Sequence, residues 1–394
     1  MLQEADGLKD FLQQTRRELH QMPELGFDLK NTIAYVKKIL TELGIDPIDC
    51  GKAGVVALIG GNTAGKVFLL RADMDALPMK EEADVEFASQ NENMHACGHD
   101  MHTAMLLGAA KLLKDHEEEL QGTVKLMFQP AEELLEGAQD MVDAGVLENP
   151  KVDGAMMLHV MAGMPLPEGT ALVSAPGISA PAADYFEIKV QGKGCHGAMP
   201  NTGIDPLTAS AHILIGLQEI QARELAAKEQ GVLTIGMLQA GKASNVIPDD
   251  VTMGGTMRAS AEETRELLKS RLVEITQGIA KSFRTEASVT FTKGCPTLVN
   301  NKDLSLFTSQ AMKTLLGEEK VIVVEGAGGG SDDFSYITHK VPSVMVALAA
   351  GHPEKGYGHP QHHPMVKFDE SVLAVGSAVY AYTAMEWLKE GAQQ

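Results

Sequence analysis

The 394-residue chain is short of three things, and each shortage excludes a class of protein. It has four cysteines, Cys50, Cys97, Cys195 and Cys295, too few and too scattered for a disulfide scaffold and suited to a reducing compartment. Positive charge is scarce: 33 Lys and Arg against 53 Asp and Glu leave a formal net charge of -20. A surface of that sign repels a phosphate backbone and an anionic bilayer, and no basic stripe interleaved with aromatics offsets it, so no nucleic-acid and no membrane partner is expected. Long apolar runs are missing too. The longest, residues 341–351, is strand-sized and contains Pro342, well below the roughly 20 residues that span a bilayer. The first twenty residues carry acids and amides where a secretory signal needs an apolar stretch, and a cytoplasmic location is expected.

What is present reads as an ordinary folded protein. Hydrophobic residues make up 44% and charged residues 22%, and the length allows two to three domains of about 150 residues. Apolar recurrence predicts two helices over residues 8–44. Strands at 55–59, 67–70, 124–128 and 155–158 then alternate with helices at 103–113 and 134–144, the rhythm of an α/β sheet covered by helices. A small-residue stretch at 174–183 has linker character. Beyond it, strands at 185–190, 232–238, 251–258 and 287–292 and helices at 206–226 and 261–282 follow the β-α-β-β-α-β order of a ferredoxin-like sandwich. The α/β pattern resumes with a helix from Asp303, a strand at 321–324, the glycine-rich loop AGGGSDDFS, a strand at 344–349 and a helix from Ser371. The expected fold is therefore a discontinuous α/β domain with a mixed sheet, residues 1–180 and 294–394, around an inserted α+β unit at residues 181–293. Two tandem domains are the alternative, but the last segment offers too few strands to close a core alone.

Four stretches place polar residues at the ends of strands, where open α/β sheets bind ligands. The strand VFLLRAD ends at Asp73 and Asp75, which taken alone would pass as turn or capping residues. In MHACGHDMHT, Cys97 and His99 stand two apart in a loop before an apolar helix, so both side chains can converge on one ion, and the helix start favours the thiolate. Cys97 as a nucleophile activated by His99 or His102 is the rival chemistry, though no cysteine-protease signature accompanies it. In FQPAEE, Glu132 and Glu133 open a predicted helix: one can ligate a metal while its neighbour takes a proton from water, or both merely favour the helix dipole. His159 ends a strand. Two short histidine clusters, His95/His99/His102 and His352/His359/His362/His363, lie nearly the whole chain apart. Cys97, His99, Glu133, His159 and one C-terminal histidine make five donors, enough for two cations sharing a ligand, and the thiolate, imidazole and carboxylate mixture suits Zn, Mn, Co or Ni.

The motifs RADMDALPM, HACGHDMHTAMLLGAAKLL, FQPAEE, MLHV, GKGCHGAMPNTGIDP, SNVIPD, GTMR and HHPMVKFDE occur in the order seen in the peptidase M20 group of metallo-hydrolases. They resemble its amidohydrolase branch of hippurate hydrolases, N-acyl-amino-acid amidohydrolases and auxin-conjugate hydrolases, from about Arg17 to Glu370. The resemblance implies two divalent transition-metal ions, with Cys97 shared, His99 and His159 on one and Glu133 and His362 on the other. It implies Glu132 as general base and acid, and Asp75 orienting ligands from behind. It likens the inserted unit to a lid or dimerisation domain, hence a homodimer or higher homo-oligomer. There His196 would polarise the scissile carbonyl, often from a partner subunit, while Asn245 and Arg258 would contact substrate. The implied activity is hydrolysis of N-acyl amino acids, with a dipeptidase, an N-acetyl-diaminopimelate-type deacetylase or a silent binding protein of the same fold as alternatives. Ser331-Asp332-Asp333-Phe334 departs from the family's common Glu-Asp-Phe, and the spacing after His159 and around HHPMVKFDE departs as well.

Overall fold

The β-branched and leucine-rich runs assemble into one eight-stranded mixed sheet in the computed structural model, which describes residues 1–61, 65–325 and 330–391. From edge to edge the strands are Ile48–Cys50, Gly54–Gly60, Gly122–Gln129, Lys66–Asp73, Gly154–Met161, Ser343–Ala349, Ala171–Ser174 and Val321–Val324. The four central ones run parallel, Gly122–Gln129 beside Lys66–Asp73, then Gly154–Met161, then Ser343–Ala349. Buried on both faces, they read as near-continuous apolar runs rather than alternating ones. Phe68, Leu70, Leu126, Phe128, Met156 and Leu158 form the floor of the core, and the helices His99–Asp115 and Leu373–Gly391 cover it with Met101, Met105, Leu106, Val379 and Tyr380. The two helices cross closely at Gly108, where an added Cβ would collide with Ser377 and Leu12. Tyr380 also ties two strands together, its hydroxyl donating to the Arg71 carbonyl at 2.7 Å and accepting from the Leu158 amide at 2.9 Å.

The chain divides into two compact units. The first takes its described residues from 1–179, 299–325 and 332–391; the second spans Ala180–Leu298 with residues 330–331. The second unit is an antiparallel sheet in the order Gly231–Ala240, Asp250–Ala259, Ala182–Gln191, Glu286–Cys295, with helices Pro206–Gly216 and Glu262–Ser282. Numbered by appearance that order is 2-3-1-4, the ferredoxin-like arrangement expected from the sequence. Phe186, Ile188, Val190, Leu268 and Leu272 are at its core.

Four local expectations change. The stretch at 174–183 is not a plain linker, for Gly177–Ala180 and Ala182–Gln191 are strands, the second set by the period-two burial of Phe186, Ile188 and Val190. The helix from Pro206 stops at Gly216, a poor helix former, and a short π turn at Ile220–Glu224 follows instead of a continuous helix to 226. His99 is the first residue of the helix His99–Asp115 rather than part of the preceding loop. Glu132 and Glu133 do not open a helix: they lie in a turn, and the helix begins at Gly137. Residues 327–329 of the expected glycine-rich loop lie outside the described residues.

One ion-pair network pins the N-terminal helix Lys9–His20 to the start of the helix His99–Asp115, next to His99. Arg16 Nε donates to Asp100 Oδ2 at 2.7 Å, and His20 Nδ1 meets the same oxygen at 2.8 Å. Burial alone would raise the Asp100 carboxyl, but the Arg16 and His20 charges hold it far below the usual carboxylate range. A lowered folded-state pKa means stability that is present above the unfolded value near 3.9 and lost as pH falls below it. Asp100→Asn should therefore lower stability at neutral pH and flatten its fall between about pH 5 and pH 2. Urea midpoints across that range test this, and parallel acid limbs in wild type and variant would refute it.

Candidate metal centre

Because the four central strands are parallel, their carboxyl ends lie side by side, and each delivers functional side chains at the same edge. Lys66–Asp73 ends at Asp73 with Asp75 just beyond; Gly122–Gln129 leads into the turn with Glu132 and Glu133; Gly154–Met161 carries His159; the chain after Ser343–Ala349 brings His362. Cys97 comes from the loop before the helix His99–Asp115. Gly98 between them has φ of 93°, and a Cβ there would press on Val160 and the Phe368 ring, so the close turn that sets Cys97 beside His99 needs glycine.

Among the described residues five groups of potential ligand atoms lie within 4.8 Å of one another, and two of these contain a cysteine: Cys97, His99 and His159, and Cys97, Glu133 and His362. Cys97 belongs to both. Its Sγ lies 3.5 Å from His159 Nε2, and His362 Nε2 lies 3.3 Å from Glu133 Oε1. The histidines are oriented from behind. His99 Nδ1 donates to the Asp75 carbonyl at 2.9 Å, leaving a buried Nε2 without a hydrogen-bond partner, and His159 Nδ1 donates to the Val160 carbonyl at 2.7 Å. His99 thus presents a free Nε2 and His159 turns its Nε2 to the Cys97 sulfur, so both rings aim the outer nitrogen at the cluster, the arrangement a ligating imidazole requires. His362 is held by its amide donating to the Ala96 carbonyl at 3.0 Å and has φ of 63°.

His102 shows the contrast. Its Nδ1 donates to Asp73 Oδ1 at 2.6 Å and its Nε2 accepts from the Val160 amide at 2.9 Å, so both nitrogens are spent and it is a supporting group, not a donor to an ion. Asp75 accepts the amides of Glu132 at 3.0 Å and Glu133 at 3.2 Å, which aims the two carboxylates. Beneath them lies a guanidinium that the sequence reading passed over. Arg71, 1% exposed, donates to Gln129 at 2.8 Å and Asp73 at 2.7 Å and pairs with Asp332 and Asp333, each at 3.2 Å. The signal was there: Arg71 interrupts an apolar strand two residues before Asp73, on the same face.

The charge state follows from these contacts. Burial would raise the Cys97 thiol, but His159 and His99 beside it bring it down to about 5. Burial would lower His159, yet the Cys97 charge lifts it to about 9. Hydrogen bonds to Cys97 and Glu133 raise His362 to about 10. Burial together with Asp332 and Glu133 keeps the Glu132 carboxyl well above its ordinary value. A thiolate, two acids and the imidazoles of His99, His159 and His362, each with Nε2 turned to the cluster, form a donor set that fits divalent transition metals, whose positive charge would replace the protons these groups otherwise hold.

Of the other residues singled out in the sequence, three belong to the second unit. His196 pairs with Val246 across the short strands Cys195–His196 and Val246–Ile247, and the Gly197 amide donates to the Asn245 carbonyl at 2.8 Å, so these two are neighbours. Arg258, on Asp250–Ala259, donates to the Met257 carbonyl and stands over the Tyr185 ring.

The model of peptidase family M20/M25/M40 matches residues 69–386. The chain is 38% identical over 394 residues to an IAA-amino acid hydrolase of Arabidopsis thaliana, covering 98% of this chain and 87% of that one. It is 36% identical over 374 residues to N-acetylcysteine deacetylase of Bacillus subtilis, covering 94% and 95%. A solved Bacillus subtilis structure, described as a dinuclear metal binding peptidase from the M20 family, superposes with a TM-score of 0.79 at 32% identity over 98% of this chain and 99% of that chain.

In metal-stripped protein Cys97 should be alkylated by iodoacetamide at pH 6, where an ordinary thiol is almost wholly protonated, while Cys50, whose thiol burial pushes up, stays slow. A divalent ion should protect Cys97. Peptide mass spectrometry reads both, and equal rates at Cys97 and Cys50 would count against the thiolate.

Proposed function

The chain belongs to peptidase family M20/M25/M40 and is an amide hydrolase, and we propose that it cleaves N-acyl amino acids, hippurate-like or N-acetylated, into a carboxylic acid and a free amino acid. The observation that carries this is Cys97, whose thiolate is within ligand reach of two separate donor groups at once. Cys97, His99 and His159 would hold one ion and Cys97, Glu133 and His362 the other, with Zn, Mn, Co or Ni suited to the donors. When bound, such a pair supplies Lewis-acid polarisation of the amide carbonyl and lowers the pKa of the attacking water.

The chain's own groups do the rest. Glu132 receives the proton of the attacking water on its carboxylate and returns it to the leaving nitrogen. Its placement suits both roles: buried, 6% exposed, beside the donor cluster, and aimed through its own amide by Asp75. Asp75 and Asp73 keep His99 and His102 fixed, so the donors need no reorganisation when substrate arrives. The free carboxylate of an N-acyl amino acid calls for a cation, and Arg258 is proposed for it because a guanidinium grips a carboxylate bidentately. His196 is proposed to polarise the carbonyl oxygen and Asn245 to contact the substrate. A homodimer through the inserted unit is part of the proposal, supported by the edge strand Gly231–Ala240, paired on one side and exposing Val232 and Leu238. A cytoplasmic site of action is part of the proposal, in keeping with a chain that carries only four scattered cysteines.

Chelation should abolish hydrolysis of hippurate or N-acetyl amino acids, and titration with Zn, Mn, Co or Ni should restore it; turnover that survives full metal removal sinks the reading. Glu132→Gln should lower kcat by about 10²- to 10⁴-fold while leaving two metals bound per chain, measured by elemental analysis beside the steady-state rates. Light scattering should give twice the chain mass, and a fully active monomer would refute the dimer.

A further inference from the structure

The turn between the strand Gly122–Gln129 and the helix Gly137–Asp143 carries both Glu132 and Glu133, and its backbone is not one these residues adopt unaided. Ala131 and Leu135 have φ of 52° and 58°, in the left-handed region that residues with a Cβ seldom enter. Such a conformation persists only where the surroundings over-determine it. Two buried carboxylates do so here. Asp75 accepts the amides at the middle of the turn, Glu132 and Glu133. Asp333 accepts at both of its ends: Gln129 Nε2 donates to Oδ1 at 2.7 Å, and the Ala138 amide donates to Oδ2 at 2.8 Å. Asp333 is itself 0% exposed and fixed by Arg71 Nη2 at 3.2 Å, while Arg71 Nε donates to the same Gln129 side chain. Both Asp332 and Asp333 lie close to the Glu132 carboxylate, but Asp332 Oδ1 accepts from the Phe334 amide, outside the turn.

We propose that Asp333 is a positioning residue which, by tying Gln129 and Ala138 to one carboxylate, holds the strained turn in the shape that aims Glu132 and Glu133 at the Cys97 cluster. The proposal rests on the reading above in which Glu133 ligates and Glu132 moves the proton. In this proposal Asp333 itself contacts neither substrate nor ion. Its effect passes through the ends of the turn, so its loss alters the rate at saturating substrate more than the apparent affinity.

The test is Asp333→Asn, which keeps the volume but sets an amide NH₂ against one of the two donors and frees that end of the turn. With metal restored, kcat should fall about 10²-fold while KM changes by less than about threefold, the size of effect a misplacement near 1 Å produces. Calorimetric titration should show one divalent ion bound as in wild type and the second about tenfold weaker, because Glu133 rides on the same turn. Adding Ala131→Gly to this variant should recover about tenfold of both losses, since glycine holds a positive φ without a clamp. General destabilisation of the fold would not be relieved by placing a glycine there. Gln129→Met, which removes one tie and leaves Asp333 in place, should give the same pattern at about tenfold and carries the test if Asp333→Asn does not accumulate as folded protein.

A folded Asp333→Asn enzyme with kcat and second-ion affinity within about twofold of wild type would overturn the proposal. So would losses that Ala131→Gly leaves untouched. Measured alongside, Glu132→Gln separates the two levels. If it stays active, the proton-transfer reading falls while the second-ion affinity still tests the clamp; if it is inactive and Asp333→Asn is not, the clamp alone falls.

Discussion

A carboxylate withdrawn from water must be given a cation or hydrogen-bond donors, and the floor of this centre withdraws several at once. Asp73, Asp75 and Asp333 are 0%, 1% and 0% exposed. Arg71 is the common answer, a single buried guanidinium whose planar fork reaches Asp73, Asp332 and Asp333 as well as the Gln129 amide. His102 takes the other side of Asp73, and the backbone amides of Glu132 and Glu133 satisfy Asp75. Each acid partnered in this way hands its constraint upward: Asp73 to His102, Asp75 to His99 and the glutamates, Asp333 to the turn. Removing one partner from such a set leaves an uncompensated charge and typically costs about 3–5 kcal/mol. The candidate metal donors therefore inherit their rigidity from an electrostatic requirement one layer below them.

The same requirement explains why this centre draws on distant parts of the chain. His362 and Asp333 follow the inserted unit, whereas Arg71, Cys97, Glu133 and His159 precede it. Ser343–Ala349 joins the sheet directly beside Gly154–Met161, so the later segment supplies a central strand and not an appendage. The donors meet only when both stretches share one sheet, and the carboxyl ends of its parallel strands are the one edge where four chain segments emerge together.

Much of this was legible in the sequence, for identifiable reasons. Parallel strands leave continuous apolar runs, and Cys97, His99 and the paired glutamates stand out at their ends because polar clusters beside such runs are costly without a use. The ferredoxin-like order was legible from alternation alone. What escaped was set by tertiary hydrogen bonds that leave no local trace. Glu132-Glu133 resembles a helix start, yet the backbone turns through positive φ at Ala131 and Leu135 with the Glu132 and Glu133 amides on Asp75, and the helix begins only at Gly137, where Asp333 takes the Ala138 amide. His102 has the same local spacing as a ligand, and only its two engaged nitrogens set it apart. Arg71 was visible as a charge in an apolar strand, but its three acidic partners come from both ends of the sequence.

The protonation pattern ties the supporting layer to the chemistry. With a Cys97 thiol near 5 and His159 and His362 near 9 and 10, the cluster by itself is a set of thiolate and imidazolium pairs at neutral pH. Ligation of divalent ions by these groups would use the thiolate that is already present but would need all three imidazoles, His99, His159 and His362, neutral, so each cation would displace protons from histidines and not from the cysteine. The sign is then fixed: affinity rises with pH until the imidazoles are deprotonated, and acidification favours release. Asp73 in the layer beneath does not compete in this exchange, because its carboxyl, against the pull of burial, is held far below neutrality by Arg71 and the neighbouring histidines. Charge could therefore be exchanged between protons and cations at the top of the site while Asp73, which holds His102 and pairs with Arg71, keeps its own.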